Sequence, residues 1–129
     1  MNHRVQKLDR ITREMLRKSP YHCFLFGDNL RSLGFGGQAK EMRGEPNSVG
    51  IPTKKAPSMN PSAFFSDDEF DENKAAIDRA FARIPNNGCM VVIPANGIGT
   101  GLAMLETKAP RTFAYLQQRL NKLETTGEV

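Results

Sequence analysis

The chain has 129 residues, of which 39% are hydrophobic and 25% charged, and its formal net charge is +4. This length predicts a single domain over 1–129 that can bury a core without disulfide or metal support. No apolar run approaches the roughly 20 residues of a membrane span, and the charged N-terminus is unlike a signal peptide. We therefore expect a cytoplasmic protein with no membrane partner. The modest positive charge favours an anionic ligand, such as a phosphate or a nucleic acid.

The N-terminal part of the chain predicts one buried strand. Residues 1–20 are highly charged, and we expect an N-terminal extension with a short helix at 12–16, which Ser19-Pro20 ends. Residues 22–26 are apolar and rich in aromatic side chains, which is typical of a buried strand. A glycine-rich loop over 27–38 follows that strand.

The middle of the chain predicts a second strand and a longer helix. Residues 39–43 begin a short helix, and 49–52 form a short apolar strand. Ser66 and Glu69 have the spacing of a helix capping box, and apolar residues then recur at helical spacing up to Ile84.

An acidic run and two cysteines are the candidate metal ligands of the sequence. The acidic run at 67–72 suits the N-terminus of a helix, which explains it without a metal ion. Cys23 and Cys89 lie in apolar runs without ligand neighbours, which indicates buried free thiols in a reducing compartment. We therefore expect no metal and no cofactor.

The C-terminal part completes an alternation of strands and helices. Residues 89–93 form a third buried strand, and a second glycine-rich loop covers 94–101. A helix follows from Pro110 to about Leu123, and 124–129 form a flexible tail. Because the strands are continuously apolar, the pattern predicts an α/β three-layer fold, with a mainly parallel central sheet flanked by helices.

The two glycine-rich loops each follow a buried strand and each lead towards a helix. In α/β folds, ligands bind beyond the carboxyl ends of the strands. Glycines allow backbone N–H groups to approach an anion, although they can also serve tight turns alone. Two such loops favour a site for a diphosphate and a ribose. The first loop matches G-x-G-x-x-A at 34–39, but it lies too far from its strand for a Rossmann site, and no P-loop is present.

Four polar residues at strand ends are candidates for chemistry. Lys54 and Lys55 follow the second strand, where they are either solvated charges or a lysine aimed at the cleft. A lysine in the cleft could bind phosphate or, when partly desolvated, attack a sugar aldehyde. Asp28 and Asn29 end the first strand, where they either hold a base or ribose or form an Asx turn.

Three motifs together resemble the macrodomain family. They are GDN with GFGGQA at 27–39, IPTKK at 51–55 and IPANGIGTGL at 93–102. The sequence is most similar to the branch of ADP-ribose glycohydrolases that remove terminal ADP-ribose from protein or DNA bases. That branch includes the antitoxins of DNA ADP-ribosylating toxins, and short phage and bacterial macro-like proteins look similar. The resemblance covers residues 24–120 and implies a macrodomain-like fold that binds ADP-ribose or a related nucleotide derivative.

The resemblance also implies roles for individual residues. Lys54 would be the nucleophile that attacks the anomeric carbon of the ribose, with Lys55 as the alternative register. The first loop would face the distal ribose, and N–H groups of the second loop would hold the diphosphate. The expected ligand-binding residues are Asp28, Asn29, Gly34, Phe35, Gly36, Gly37, Gln38, Thr53, Asn96, Gly97, Ile98, Gly99, Thr100 and Gly101.

The sequence departs from the family at the catalytic acids. The branch carries an aspartate in or just after the second loop, whereas the first acid here is Glu106. The commoner macrodomain hydrolases carry an acid just after the glycines of the first loop, where this sequence has Gln38. We therefore consider Asp28 as a residue that could take the place of the missing acid in space. Two functions follow: a glycohydrolase acting on ADP-ribosylated nucleic acid or protein, and a non-catalytic module that sequesters or reads a nucleotide signal. A third, plain nucleic-acid binding, rests on the basic charge alone.

Overall fold

The chain forms four strands and five α-helices in a computed structural model that describes residues 2–129. The strands are β1 (Val5–Leu8), β2 (Cys23–Asn29), β3 (Ser48–Lys54) and β4 (Val91–Pro94). The helices are α1 (Arg13–Lys18), α2 (Ala39–Met42), α3 (Phe70–Phe81), α4 (Leu105–Lys108) and α5 (Pro110–Thr126). The strands form one sheet in the order β1-β4-β2-β3, and every neighbouring pair is parallel. The predicted α/β fold with a parallel sheet is confirmed.

The sheet is covered by helices on both faces, which is why its central strands are continuously apolar. Successive side chains of a strand point to opposite faces. In β2, Cys23 and Leu25 pack in a core with α3 and α5, whereas Phe24 and Phe26 pack in a second core with α1 and α2. Each face of the sheet packs against its own layer of helices, and water is excluded from the core between them. The fold therefore has three layers.

The N-terminal segment contains a strand that the sequence did not predict. Within residues 1–20, predicted as an extension or short helix, β1 pairs with β4 from Val5 opposite Val91 to Leu8 opposite Pro94. Only the two ends of β1 are half-buried, and its two middle residues are exposed. The hydrophobic pattern of this edge strand is too weak to reveal it.

The C-terminal helix is longer than predicted. It continues to Thr126, past the predicted end at Leu123, so the flexible tail predicted at 124–129 is helical in its first residues. Gly127 ends the helix at a φ of 73°, where its N–H donates to the carbonyl of Leu123. The carbonyl of Gly127 accepts a hydrogen bond of 2.7 Å from the N–H of His3, which joins the two ends of the chain.

The topology brings the predicted functional segments to one edge of the sheet. All four strands are parallel, so their carboxyl ends share one edge. Because β4 and β2 are neighbours, the glycine-rich loops that follow them lie side by side, with the end of β3 next to β2. Among residues 2–129, no helix combines the length and apolar character that a membrane crossing requires.

Candidate functional site

A cleft of about 530 Å³ lies between the two glycine-rich loops and the end of β3. This volume is within the range of small-molecule sites. Lys54 lines the cleft together with every predicted ligand-binding residue. These are Asp28, Asn29, Gly34, Phe35, Gly36, Gly37, Gln38, Thr53, Asn96, Gly97, Ile98, Gly99, Thr100 and Gly101. Lys55 does not line the cleft; its amine pairs with the carboxylate of Glu69.

The loop after β4 presents a run of backbone N–H groups without protein acceptors. Hydrogen bonds fix the loop at both ends, from Gly97 N–H to Pro94 and from Leu105 N–H to Gly99, each 2.9 Å. Between them, the N–H groups of residues 98–102 donate to no acceptor within residues 2–129. Successive free N–H groups in a glycine turn can together hold an anion.

Gly99 is required by the packing of this loop. Its φ is +86°, and a Cβ there would lie 3.1 Å from Leu105 Cδ2 and 3.2 Å from Thr53 Cγ2. A larger residue would therefore be strained in its backbone and crowded by its neighbours. Gly101 differs, because nothing lies within 4 Å of the Cβ it would carry.

The loop after β2 is held by a buried ion pair between Asp28 and Arg43. Arg43 Nη2 lies 2.5 Å from Asp28 Oδ1, and Nη1 lies 3.2 Å from Oδ2. The same guanidinium donates through Nε to the carbonyl of Gly34 at 2.7 Å. The two side chains are only 6% and 15% exposed. Asp28 thus has a structural role in shaping the first loop, and the acid–base role considered for it stays a prediction.

Asn29 forms the Asx turn that was one of its two predicted roles. Its Oδ1 accepts from the N–H of Arg31 at 3.0 Å, and its Nδ2 donates to the carbonyl of Leu33 at 2.8 Å. Further along the loop, the N–H groups of 34–38 donate to no acceptor within residues 2–129. Gln38 has a buried Oε1 that likewise lacks a partner there. The first loop therefore carries N–H donors and one buried amide oxygen whose hydrogen-bonding capacity the protein leaves unused.

Lys54 is a buried lysine without a carboxylate partner. The residue is only 9% exposed, and its Nζ donates to the carbonyl of Ser58 at 2.6 Å. Nζ also lies 4.5 Å from the centre of the Phe64 ring. No carboxylate of residues 2–129 is within ion-pair distance of it. Burial lowers the pKa of Lys54 below its ordinary value, which raises the fraction of neutral, nucleophilic amine.

Apolar side chains form the rim of the cleft. Four apolar residues that line it are between 54% and 65% exposed, namely Leu33, Phe35, Met59 and Leu102. The two loops approach each other here, since a Cβ on Gly36 would lie 3.3 Å from Leu102 Cδ1. Such a rim suits the faces of a sugar or a base.

Several lining residues could not be found from the sequence. Asp9 lines the cleft because it follows β1, the strand that the sequence did not reveal. Arg43 and Ser58 reach the site only through tertiary packing. The acidic run at 67–72 lies outside the cleft, and residues 2–129 hold no group of three or more His, Cys, Asp or Glu arranged for a metal ion. Both cysteines are free thiols, Cys23 buried and Cys89 only half-buried, and burial raises the pKa of Cys23 to about 12.

A comparison with known protein families decides the family of this chain. Residues 6–119 match a family of unknown function, DUF7831. The chain belongs to this family. The DUF7831 match includes both glycine-rich loops, the strand that carries Lys54 and most of α5. No curated protein matches the chain, and no solved structure matches it.

Proposed function

We propose that this protein binds ADP-ribose, or a related nucleotide derivative, in the cleft between the two glycine-rich loops. The observation that carries the proposal is that both loops line one cleft of about 530 Å³ and carry N–H groups that donate to no acceptor within residues 2–129. The N–H groups of 98–102 would hold the diphosphate. The apolar rim would contact the faces of the sugar and the base. The resemblance of the three loop motifs to macrodomains supports the same ligand.

We further propose that Lys54 gives the protein glycohydrolase activity. Its neutral amine would attack the anomeric carbon of the ribose that is linked to a carrier. The bond between this carbon and the carrier would break, and the carrier would leave with the bonding electrons and take up a proton. Water would then attack the lysine-linked sugar carbon, which releases ADP-ribose and restores the free amine. The burial of Lys54 and its lack of a carboxylate partner support this role.

A non-catalytic module is the second candidate. The observation that favours it is the ion pair of Asp28, whose two carboxylate oxygens both contact Arg43. Asp9 is the other carboxylate that lines the cleft, and Glu106 does not line it. Asp9 forms no ion pair within residues 2–129, so it is the acid left to protonate the carrier. If Asp9 does not protonate the carrier, the domain binds and retains the ligand, as a reader or a sequestering protein does.

Two experiments test these proposals. Calorimetric titration with ADP-ribose measures binding, and an assay of ADP-ribose release from modified DNA and modified peptide measures the activity. We expect micromolar binding by the wild-type protein and by the Lys54→Ala and Lys55→Ala variants. Release should fall roughly 100-fold or more in Lys54→Ala and stay near the wild-type rate in Lys55→Ala. Lys54→Arg keeps the positive charge without a nucleophilic amine, so it should bind as well as the wild type and release nothing.

Each other outcome removes one part of the proposal. Equal release by the wild type and Lys54→Ala would refute the lysine mechanism. Binding without release by the wild type would leave the non-catalytic module. Absence of ADP-ribose binding at millimolar concentration would refute the glycohydrolase and leave only a module for another nucleotide derivative.

A further inference from the structure

A second depression of about 130 Å³ adjoins the cleft where α3 passes the edge strand β3. We call it the arginine pocket. Its lining includes Arg79 of α3, Arg83 two residues beyond the end of α3, Gly50 and Pro52 of β3, and Ser32 of the first loop. Asp28 and Asn29 line both the arginine pocket and the cleft, so the two depressions are separated only by the end of β2.

The arginine pocket carries positive charge that the protein does not neutralise. Arg79 and Arg83 are exposed, and neither forms an ion pair with a carboxylate of residues 2–129. The same holds for Arg31, whose chain neighbours Leu30 and Ser32 both line the pocket. The carboxylate of Asp28 is already paired with Arg43. The local charge is therefore available to an anion.

One of these guanidinium groups is fixed in place. Arg83 Nη2 donates to the carbonyl of Gly50 at 2.7 Å, which uses one of its five N–H donors. Gly50 is needed at this point because the side chain of Asp28 occupies the space that a Cβ would take, with Asp28 Oδ2 only 2.5 Å from that position. A guanidinium held at the wall of a small polar pocket is well suited to a phosphate, which it can contact through two parallel hydrogen bonds.

We infer that the arginine pocket binds a phosphodiester group of a nucleic-acid strand that carries the ADP-ribose, so that the substrate class is modified nucleic acid. The inference rests on the proposed function. It follows from position, because Lys54 lies four residues beyond Gly50 on β3, about 13 Å along the strand. A carrier joined to the ribose near Lys54 would extend within reach of the pocket. A polynucleotide places a phosphate beside every modified base, whatever its sequence, whereas a protein carrier does not.

An exposed aromatic ring on the same loop strengthens this inference. Phe35 is 65% exposed at the rim of the cleft, four residues after Arg31. Proteins that bind single strands combine basic side chains along the backbone with exposed aromatic faces on which bases stack. The net charge of +4 also favours a polyanionic partner.

The test compares two double variants with equal loss of charge. Arg31→Gln with Arg79→Gln removes one arginine that lines the arginine pocket, Arg79, and the exposed Arg31 that stands between the lining residues Leu30 and Ser32. The double variant leaves Arg83 in its contact with Gly50. Arg4→Gln with Lys40→Gln is the matched control, because both side chains are exposed and lack ion pairs within residues 2–129. Arg4 immediately precedes β1, at the edge of the sheet opposite to β3.

Three readouts are needed: binding of an unmodified single-stranded DNA oligonucleotide at several salt concentrations, binding of ADP-ribose, and release of ADP-ribose from modified oligonucleotide and from modified peptide. We expect the Arg31/Arg79 variant to bind the oligonucleotide roughly tenfold more weakly than the control, with a salt dependence reduced by about one to two phosphate contacts. Its affinity for ADP-ribose and its rate on the modified peptide should equal those of the control.

The remaining outcomes separate this inference from the proposed function. Equal oligonucleotide affinity in the two double variants, or no oligonucleotide binding by the wild type at low salt, would overturn the inference. If the Arg31/Arg79 variant loses as much release rate on the modified peptide as on the modified oligonucleotide, a protein carrier is indicated and the inference is also overturned. If the affinity for the oligonucleotide depends on Arg31 and Arg79 but the protein does not bind ADP-ribose, the proposed function fails and phosphate binding at the arginine pocket stands.

Discussion

At the scale of single residues, the proposed chemistry concentrates in Lys54. Of the two adjacent lysines that the sequence offers, only Lys54 lines the cleft, and Lys55 is engaged with Glu69 outside it. Lys54 is the last residue of β3 and Lys55 is the first residue beyond it, so the two neighbouring side chains have different surroundings. Lys54 is the one whose amine is desolvated.

The lowered pKa of Lys54 predicts a gain of stability when this lysine is replaced. Burial penalises the charged form in the folded state, so folding is opposed at pH values below the folded pKa. The opposition fades as the pH rises from the folded pKa to the unfolded value of about 10.4. We expect Lys54→Met to raise the free energy of unfolding by about 1 kcal/mol at pH 7, and by less near pH 10.

Chemical denaturation at the two pH values measures this effect. Lys55→Met is the matched control, because it removes a half-exposed ion pair and should change stability by less than about 0.5 kcal/mol. Destabilisation by Lys54→Met at both pH values would contradict the account of a desolvated amine.

The sequence predicted the lining of the cleft better than the contacts that support it. Glycines and polar residues at strand ends are local signals, and all of the predicted ligand-binding residues line the cleft. The contact between Asp28 and Arg43 joins a strand to the end of a helix 15 residues away, so no local pattern reports it. Asp9 escaped notice because the strand before it has exposed middle residues.

At the scale of elements, Arg43 connects the end of α2 to the first loop. Removing it would leave the buried carboxylate of Asp28 without its charged partner and the carbonyl of Gly34 without its donor. We expect Arg43→Ala to lower the free energy of unfolding by about 3 kcal/mol and to weaken ADP-ribose binding. Arg43→Lys should recover only part of both losses, because an ammonium cannot form the two-pronged contact.

Denaturation and calorimetry on the single variants and on Asp28→Asn/Arg43→Ala measure this contribution. The double variant should lose less stability than the sum of the two single losses, since both singles break the same contact. Additive losses would show that Asp28 and Arg43 act independently.

The start of α5 depends on a carboxylate from a distant segment. Asp67 accepts from the N–H groups of Arg111 at 2.8 Å and Thr112 at 2.9 Å, and from the Thr112 hydroxyl at 2.9 Å. Burial alone would raise the pKa of Asp67, but these hydrogen bonds outweigh it and lower the pKa below the ordinary value. The stabilisation is therefore complete above the unfolded pKa of about 3.9 and is lost as the pH falls through the lower folded pKa.

Replacement of Asp67 tests this cap. We expect Asp67→Ala to reduce the free energy of unfolding by about 1 kcal/mol at pH 7, with the difference from the wild type narrowing below pH 4. Asp68→Ala is the control, because Asp68 is exposed and its side chain has no bond within residues 2–129. An equal effect of the two substitutions at pH 7 would contradict the capping role.

The same region shows why element boundaries were harder to predict than elements. The three apolar strands and the two longer helices follow from hydrophobic periodicity. Ser66 was predicted to cap the helix that proved to be α3. It instead caps a short 3₁₀ turn at Asp67–Glu69, after which α3 begins at Phe70. The acidic run was assigned to the start of α3, yet Asp67 binds the start of a helix that lies 44 residues further along the chain.

At the scale of the whole molecule, the site exists because the chain crosses between strands that are not consecutive. The order β1-β4-β2-β3 makes the last strand a neighbour of the first two, and this adjacency joins the two glycine-rich loops. The sequence indicated a parallel sheet but not its order, because the pairing of β4 with β1 and β2 arises from packing across the whole chain. The cleft then lies beyond the carboxyl ends of the strands, which is where α/β folds generally bind their ligands.

The most direct test of ADP-ribose binding in the cleft is a titration of isotope-labelled protein with ADP-ribose, followed by the chemical shifts of the backbone amides. ADP-ribose binding in the cleft predicts that saturable shifts concentrate in residues 34–38 and 98–102, which line the cleft and have N–H groups without acceptors within residues 2–129. Gly101→Ala should retain these shifts, whereas Gly99→Ala should weaken or abolish them. No shifts at millimolar ADP-ribose, or shifts confined to residues outside the cleft, would contradict the account.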